Sequence, residues 1–251
     1  MRERIPAPEP FSFGWQFLAA LALAGLGTSL VALVVDRLVF QRLRRRRAHP
    51  LTMVFASFGA ALVLRNLVLL VWGPDAHYYT GELQFAVEVL PDVRLLPDQI
   101  FVLAFTLVAV LALTLMLKYS RLGMALRAMA ESPELARICG IKTATMVRWT
   151  WLVSGLLAGA AGIFSGLTVQ LRPEMGFNLL LAIFTAAILG GHGSLIGAVL
   201  GGLVIGLAEN LSVLVIPSSY KSAVPFLLLI VILFFRPQGL LGVKPTRTGA
   251  P

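Results

Sequence analysis

Apolar runs long enough to cross a lipid bilayer dominate this chain. Seven can be drawn, at about 13–35, 51–72, 99–117, 149–169, 177–190, 195–211 and 223–235. A hydrocarbon core about 30 Å thick asks for roughly 20 apolar residues per helical crossing. The fifth and seventh runs fall short, so each reads as a half-span, a tilted helix or a re-entrant piece. In hydrocarbon every backbone N–H and C=O needs an internal partner, and runs of this length meet that need as helices. The expected fold class is therefore all-α, a polytopic transmembrane helical bundle with about seven apolar segments, some short or broken. Only 13% of the 251 residues are charged, against about 25% in soluble domains. That is too few to coat a soluble surface of this size. The longest polar stretches, 73–98 and 118–148, read as loops, so residues 1–251 read as a single membrane domain. The first run is too long for a signal peptide and leads into arginines rather than a small-residue cleavage site, which makes it a retained span.

Charge sets the orientation. The net charge is +9, which in a soluble protein would point to nucleic acid. Here the basic residues lie between apolar runs and form no continuous basic and aromatic face, so the expected contact is membrane lipid and not nucleic acid. Residues 37–49 hold Arg37, Arg42, Arg44, Arg45, Arg46 and Arg47 with no acid. Residues 118–148 hold Lys118, Arg121, Arg127, Arg137, Lys142 and Arg148 against Glu131 and Glu134, and the tail adds Arg236, Lys244 and Arg247. Residues 73–98 instead carry Asp75, Glu82, Glu88, Asp92 and Asp98 against Arg94. Basic loops stay in the cytoplasm. The expected path starts outside, alternates, and ends with the carboxyl terminus in the cytoplasm. Arg2 and Arg4 then sit awkwardly outside.

Inside the apolar segments, a few residues break the pattern. Gly190, Gly191 and Gly193 interrupt the run between the fifth and sixth segments. Broken helices expose helix ends that can bind charged substrate groups; a tight turn with close helix packing is the other reading, and both can hold. Gly155, Gly159, Gly162 and Gly166, and likewise Gly197, Gly201 and Gly202, read as sites of close backbone approach. Arg65 lies well inside the second span and should face protein or water with a partner. Glu209, the only acid within an apolar segment, is the expected partner; the alternative is that Arg65 snorkels and Glu209 merely ends its helix. Asn66, Thr185, His192 and Ser194 are further candidates for polar lining of a substrate path.

Residues 120–141 read SRLGMALRAMAESPELARICGI. Two short helices fit. In the first, Leu122, Leu126 and Met129 recur at helical spacing, with Arg121 and Arg127 elsewhere on its surface. The second has an N-cap at Ser132, Pro133 at the first helical position, Glu134 at the positive end of the dipole, and Gly140 for the left-handed position past its end. One reading is a helix lying on the bilayer surface. The other is a docking helix that seats side chains, among them Ala130, Glu131 and Leu135, in a groove of a cytoplasmic partner.

This loop resembles the cytoplasmic loop of branched-chain amino-acid ABC permeases, where a short helix couples the membrane subunit to the ATPase. Asp36-Arg37-Leu38-Val39-Phe40 with Arg42, Leu43 and Arg44, the stretch Phe184 to Ser194 (FTAAILGGHGS), the run Gly197 to Asn210, and Arg236-Pro237-Gln238-Gly239-Leu240-Leu241-Gly242 are similar to that family too. The likeness covers roughly residues 15–242, and the FTAAILGG form favours the LivH-like member of the usual pair. The family's one or two further amino-terminal helices, with an Asn-Phe-Ala-His-Gly-type motif, are not found, so a missing amino-terminal helix is expected. The resemblance implies cytoplasmic ABC ATPase subunits, a second, LivM-like permease, a periplasmic or lipid-anchored substrate-binding protein, and a place in the bacterial inner membrane. The chain has no Gly-x-x-x-x-Gly-Lys-Ser/Thr phosphate loop, so ATP would be hydrolysed by a separate subunit. The implied function is a permease subunit translocating branched-chain or related amino acids.

Two rivals come from other classes. An ion-coupled secondary transporter of small polar solutes needs intramembrane acids, and only Glu209 qualifies. An intramembrane enzyme needs converging catalytic groups. His49 and His77 lie in loops on opposite sides, and His192 and Ser194, two apart, do not share a helix face. With Cys139 alone, neither a disulfide nor a thiolate cluster can form. No cofactor, metal or catalytic residue is expected.

Overall fold

The computed structural model describes residues 16–77, 87–90, 93–95, 97–168, 170–191, 193–217, 220–236 and 239–241. The chain divides into two compact units, Met1–Pro173 and Glu174–Pro251.

In the first unit α1 spans Gln16–Val35 and passes through a wide π-helical turn, Asp36–Phe40, into α2, Gln41–Arg45. The rod therefore runs well beyond the expected boundary at 35, and most of the 37–49 segment is helix, not loop. Arg, Leu and Gln are good helix formers, and no Gly or Pro intervenes before Pro50. The chain turns only where Arg47 takes φ 50°. His49 then caps α3, Pro50–Trp72, its Nδ1 accepting from the Leu51 N–H at 3.3 Å with Pro50 at the first position.

The 73–98 segment, expected as a plain loop, carries a small antiparallel hairpin of β1, Val87–Leu90, and β2, Val93–Leu95. His77 and Leu171 exchange backbone hydrogen bonds of 3.0 and 2.9 Å. That bridge brings the chain just after α3 beside the chain just after α7, Thr143–Thr168. The ends of these two helices therefore share one side, as an alternating path requires. Between them lie α4, Pro97–Tyr119, α5, Arg121–Glu131, and α6, Pro133–Ile138. Helix α7 starts at Thr143, ahead of the expected 149, because Thr143 to Arg148 contain no breaker.

Helices α1 and α7 run antiparallel with their backbones in contact. A Cβ on Gly155 would come within 2.6 Å of the Ser29 Cα, and one on Gly159 would strike Thr28 and lie 3.1 Å from the Gly25 Cα. Lipid tails are as apolar as leucine, so helix association depends on such close approach and on interhelical hydrogen bonds. Buried Ser29 supplies one: its hydroxyl donates to Gly25 O at 2.8 Å and across to Leu152 O at 2.9 Å. Towards the other end of the pair, Leu21, Ala160 and Phe164 form a core with Phe17, Phe101 and Phe105. Phe105 meets Phe164 edge-on at 4.9 Å, and Phe101 meets Phe164 at 6.2 Å. This cluster ties α4 to α1 and α7.

The second unit holds α8, Met175–Gly190, α9, Leu195–Ser212, and α10, Ala223–Phe235. Gly190 and Gly197 press backbone to backbone, and Gly201 lies against Ala186 O, so α8 and α9 form a tight hairpin. Gly202, expected to join them, has no neighbour within 4 Å. Among the described residues, five helices are long and apolar enough to cross a membrane, while Met175–Gly190 and Ala223–Phe235 are shorter. Their outer faces are apolar: Leu70 and Phe234 are each 82% exposed. Water would not tolerate so much exposed hydrocarbon; lipid does.

Gly155→Val should separate α1 from α7 and cost about 1–3 kcal/mol of overpacking strain, seen as a lower thermal midpoint in detergent. Gly202→Val should leave that midpoint unchanged.

Candidate functional site

Helices α5 and α6 are built as small, firmly ended units. Ser120 Oγ accepts from the Gly123 N–H at 3.0 Å and starts α5. Gly123 sits so close to the Leu117 carbonyl that no side chain fits there. Arg127 reaches back and donates to Lys118 O at 3.2 Å, covering an open carbonyl at the end of α4. Leu126 lines an apolar cavity of about 230 Å³ with Leu122 and Trp149.

The punctuation expected for α6 is present. Ser132 Oγ accepts from Leu135 N at 3.4 Å with Pro133 at the first position. Past the end, Gly140 takes φ 82°. Its N–H donates to Arg137 O at 3.0 Å and the Ile141 N–H to Ala136 O at 2.9 Å, the paired bonds of a Schellman stop. Ala136 is buried. The other side is open: Arg121, Ala130, Glu131, Glu134 and Gly140 are exposed, with Leu135 63% and Ile138 81% exposed. Sequence reasoning missed Ile138, which adds to this apolar surface, and Met124, exposed on α5. Ile138 follows Leu135 by three residues on one face of α6, a spacing visible in the sequence.

The residues expected to line a path fall in both units. In the first, Arg65 is half-buried in the second half of α3, and Asn66 turns back to donate to Leu62 O at 2.8 Å. In the second, Thr185 is fully buried and donates to Leu181 O at 2.9 Å and to Pro225 O at 3.4 Å, joining α8 to α10. Gly191 and Gly193 take φ 97° and 89°, values that favour glycine. Ser194 accepts from Gly197 N at 3.0 Å and caps α9. His192 lies outside the described residues. Glu209 is half-buried near the end of α9. Gly190 and Ser194 of the glycine turn serve packing and capping, and the end of α8 is closed by the tail. Leu240 N–H donates to Leu189 O at 2.7 Å and Leu241 N–H to Gly190 O at 3.1 Å. Gly239, φ 75°, leaves room for this, since a Cβ there would meet Gly191 Cα at 2.5 Å.

The profile of the family described as "Branched-chain amino acid transport system / permease component" matches residues 11–233. The chain belongs to this family. It is 33% identical to the high-affinity branched-chain amino acid transport system permease protein BraD of Pseudomonas aeruginosa, over 90% of this chain and 74% of that protein. It is 32% identical to the corresponding protein LivH of Escherichia coli, over 91% of this chain and 76% of LivH. A probable branched-chain amino acid transport permease protein LivH of Methanocaldococcus jannaschii is 27% identical over 84% of the chain. No solved structure matches the chain.

The permease is therefore a multi-pass membrane protein and a transport subunit rather than an enzyme. Permeases of ABC importers work with separate ATPases and substrate-binding proteins.

Replacing Gly239 with valine should expel the tail from the α8 end and leave two carbonyls without donors. Each lost bond costs about 1 kcal/mol. Limited proteolysis of the purified permease should then clip the carboxyl-terminal tail faster than in wild type.

Proposed function

We propose that the chain is the membrane-spanning permease subunit of an ATP-binding-cassette importer that moves branched-chain or related amino acids across the bacterial inner membrane. The observation that carries this reading is the family match across residues 11–233. The open apolar surface of Leu135 and Ile138 on a capped helix supports it. A six-residue helix has no stability of its own in water; here it is held at both ends and offers two large side chains outward. Such a helix can seat in a groove of a cytoplasmic ATPase and carry its motion to α7, which starts a few residues later. The surroundings of α6 are basic, which favours the cytoplasmic side for it and for the carboxyl terminus.

The complete importer then comprises cytoplasmic ATPases, a second, LivM-like permease and a periplasmic or lipid-anchored binding protein. The sequence holds no phosphate loop, so ATP is hydrolysed by the ATPase subunits. For the substrate path, Arg65 in the second half of α3 and Glu209 near the end of α9 are the charged groups put forward. Gly190, Gly191, Gly193 and Ser194 form the turn whose geometry would follow any rearrangement of α8 against α9.

Co-expressed subunits reconstituted in proteoliposomes should take up leucine only with ATP and the binding protein. Uptake by the permease alone on a proton or sodium gradient would sink the importer reading and favour an ion-coupled carrier. Ile138→Asp should cut ATP-driven uptake about tenfold or more, since burying such a side chain contributes roughly 1.5–3 kcal/mol to docking. Insertion of the permease should be unchanged. The exposed Cys139 next to it gives the check: a thiol-directed crosslinker should capture the ATPase in wild type and much less in Ile138→Asp.

A further inference from the structure

In the first unit, α2, α6 and the start of α7 border an open cleft of about 510 Å³. Four arginines line it, Arg44, Arg45, Arg137 and Arg148, all exposed to solvent and so open to an anion, together with Thr143. The single carboxylate on its wall is buried Asp36, which already forms an ion pair with Arg44. Among the described residues no carboxylate pairs with Arg45, Arg137 or Arg148. Retention of a loop on one side of the membrane requires basic residues, but not their convergence from three chain segments on one space. Gathering like charges is unfavourable unless a counter-charge occupies the middle. Guanidinium is the side chain whose planar fork matches phosphate oxygens, and the volume suits a phosphate group with its substituent.

We infer that this cleft is a binding site for a phosphate-bearing anion, distinct from the transport path and from the outward face of α6. The anion would bridge α2, α6 and α7, and so stiffen the junction between the short helix and the span behind it. The same chemistry is offered by a soluble phosphate and by an anionic lipid headgroup. The apolar cavity lined by Leu126 and Trp149 also uses α7, which makes the lipid arm worth its own measurement.

The full-length permease, purified in a neutral detergent, is to be melted while following tryptophan fluorescence. Sodium phosphate is compared with sodium chloride at equal ionic strength, and short-chain phosphatidylglycerol with phosphatidylcholine. We expect phosphate, phosphatidylglycerol or both to raise the midpoint while chloride and phosphatidylcholine do not. Phosphatidylglycerol acting alone identifies a headgroup site, and phosphate acting alone a soluble ligand. The double variant R137Q/R148Q should weaken the apparent affinity by about tenfold or more, whereas R42Q/R46Q, equal in charge but off the cleft wall, should keep it. R137K/R148K preserves charge and guards against misfolding; it should bind, more weakly than wild type, because an ammonium cannot grip two oxygens in plane. Stabilisation by none of the anions, or equal loss in R42Q/R46Q, overturns the assignment.

Discussion

Backbone held directly against backbone is what the rest of this fold depends on. In lipid there is no hydrophobic drive to bring two apolar helices together, so cohesion comes from contact distance and hydrogen bonding. The α1–α7 pair meets both demands at one place, where Gly155 admits Ser29 and the Ser29 hydroxyl reaches Leu152 O. The α8–α9 hairpin meets the first through Gly190, Gly197 and Gly201. Side chains elsewhere on these helices point largely outward and are free to be whatever lipid tolerates. This is why large apolar residues such as Leu70 and Phe234 stand exposed without cost.

The second requirement is that helix ends inside or beside the membrane find partners for their last carbonyls. The permease meets it by joining segments far apart in sequence. The turn Gly191 to Ser194 ends α8 and caps α9, and the tail from Gly239 to Leu241 returns to bond the last carbonyls of α8. Two sequence stretches that look unrelated, FTAAILGG and RPQGLLG, are thus one structural feature. Gly239 could not be replaced without separating them, because a Cβ on it would lie 2.5 Å from the Gly191 Cα.

Much of this was legible in advance. All seven apolar segments fall on helices, with boundaries within a few residues for five of them; the first runs on past 35 and the fourth starts ahead of 149. The short fifth and seventh remain short, and the caps at Ser132 and Gly140 stand where local chemistry put them. Those features depend on neighbours in sequence. What was not legible depends on neighbours in space. Ser29 looks like one more small residue in an apolar run until Leu152 is placed opposite. The pairing of Arg44 with Asp36 needs a helix that continues past 35, where a row of arginines reads as loop. Thr185 reads along the chain as one candidate for polar lining; the approach of its hydroxyl to Pro225 O, from a distant helix, is a packing contact that no local pattern reveals. The convergence of Arg45, Arg137 and Arg148 is likewise invisible along the chain, where they merely count as positive charge.

Rigidity at the basic end of the first unit follows from how little of it is left to local propensity. Helix α6 is too short to persist by itself, yet an element that passes force must not yield before its neighbour does. Ser132 fixes its start and the Gly140 stop fixes its end. Buried Ala136 seats it against its neighbours. At α5 the same is done by Ser120, by Arg127 folded onto the end of α4, and by a glycine with no room for a side chain. The restraints sit at the helix ends and at buried Ala136, while the exposed surface carries Leu135 and Ile138 beside the charged Arg121, Glu131 and Glu134. An element tied at both ends in this way cannot absorb a push on Leu135 or Ile138 by local unfolding without breaking several bonds together. In the proposed importer such a push would pass to the start of α7, and through the glycine contacts to α1.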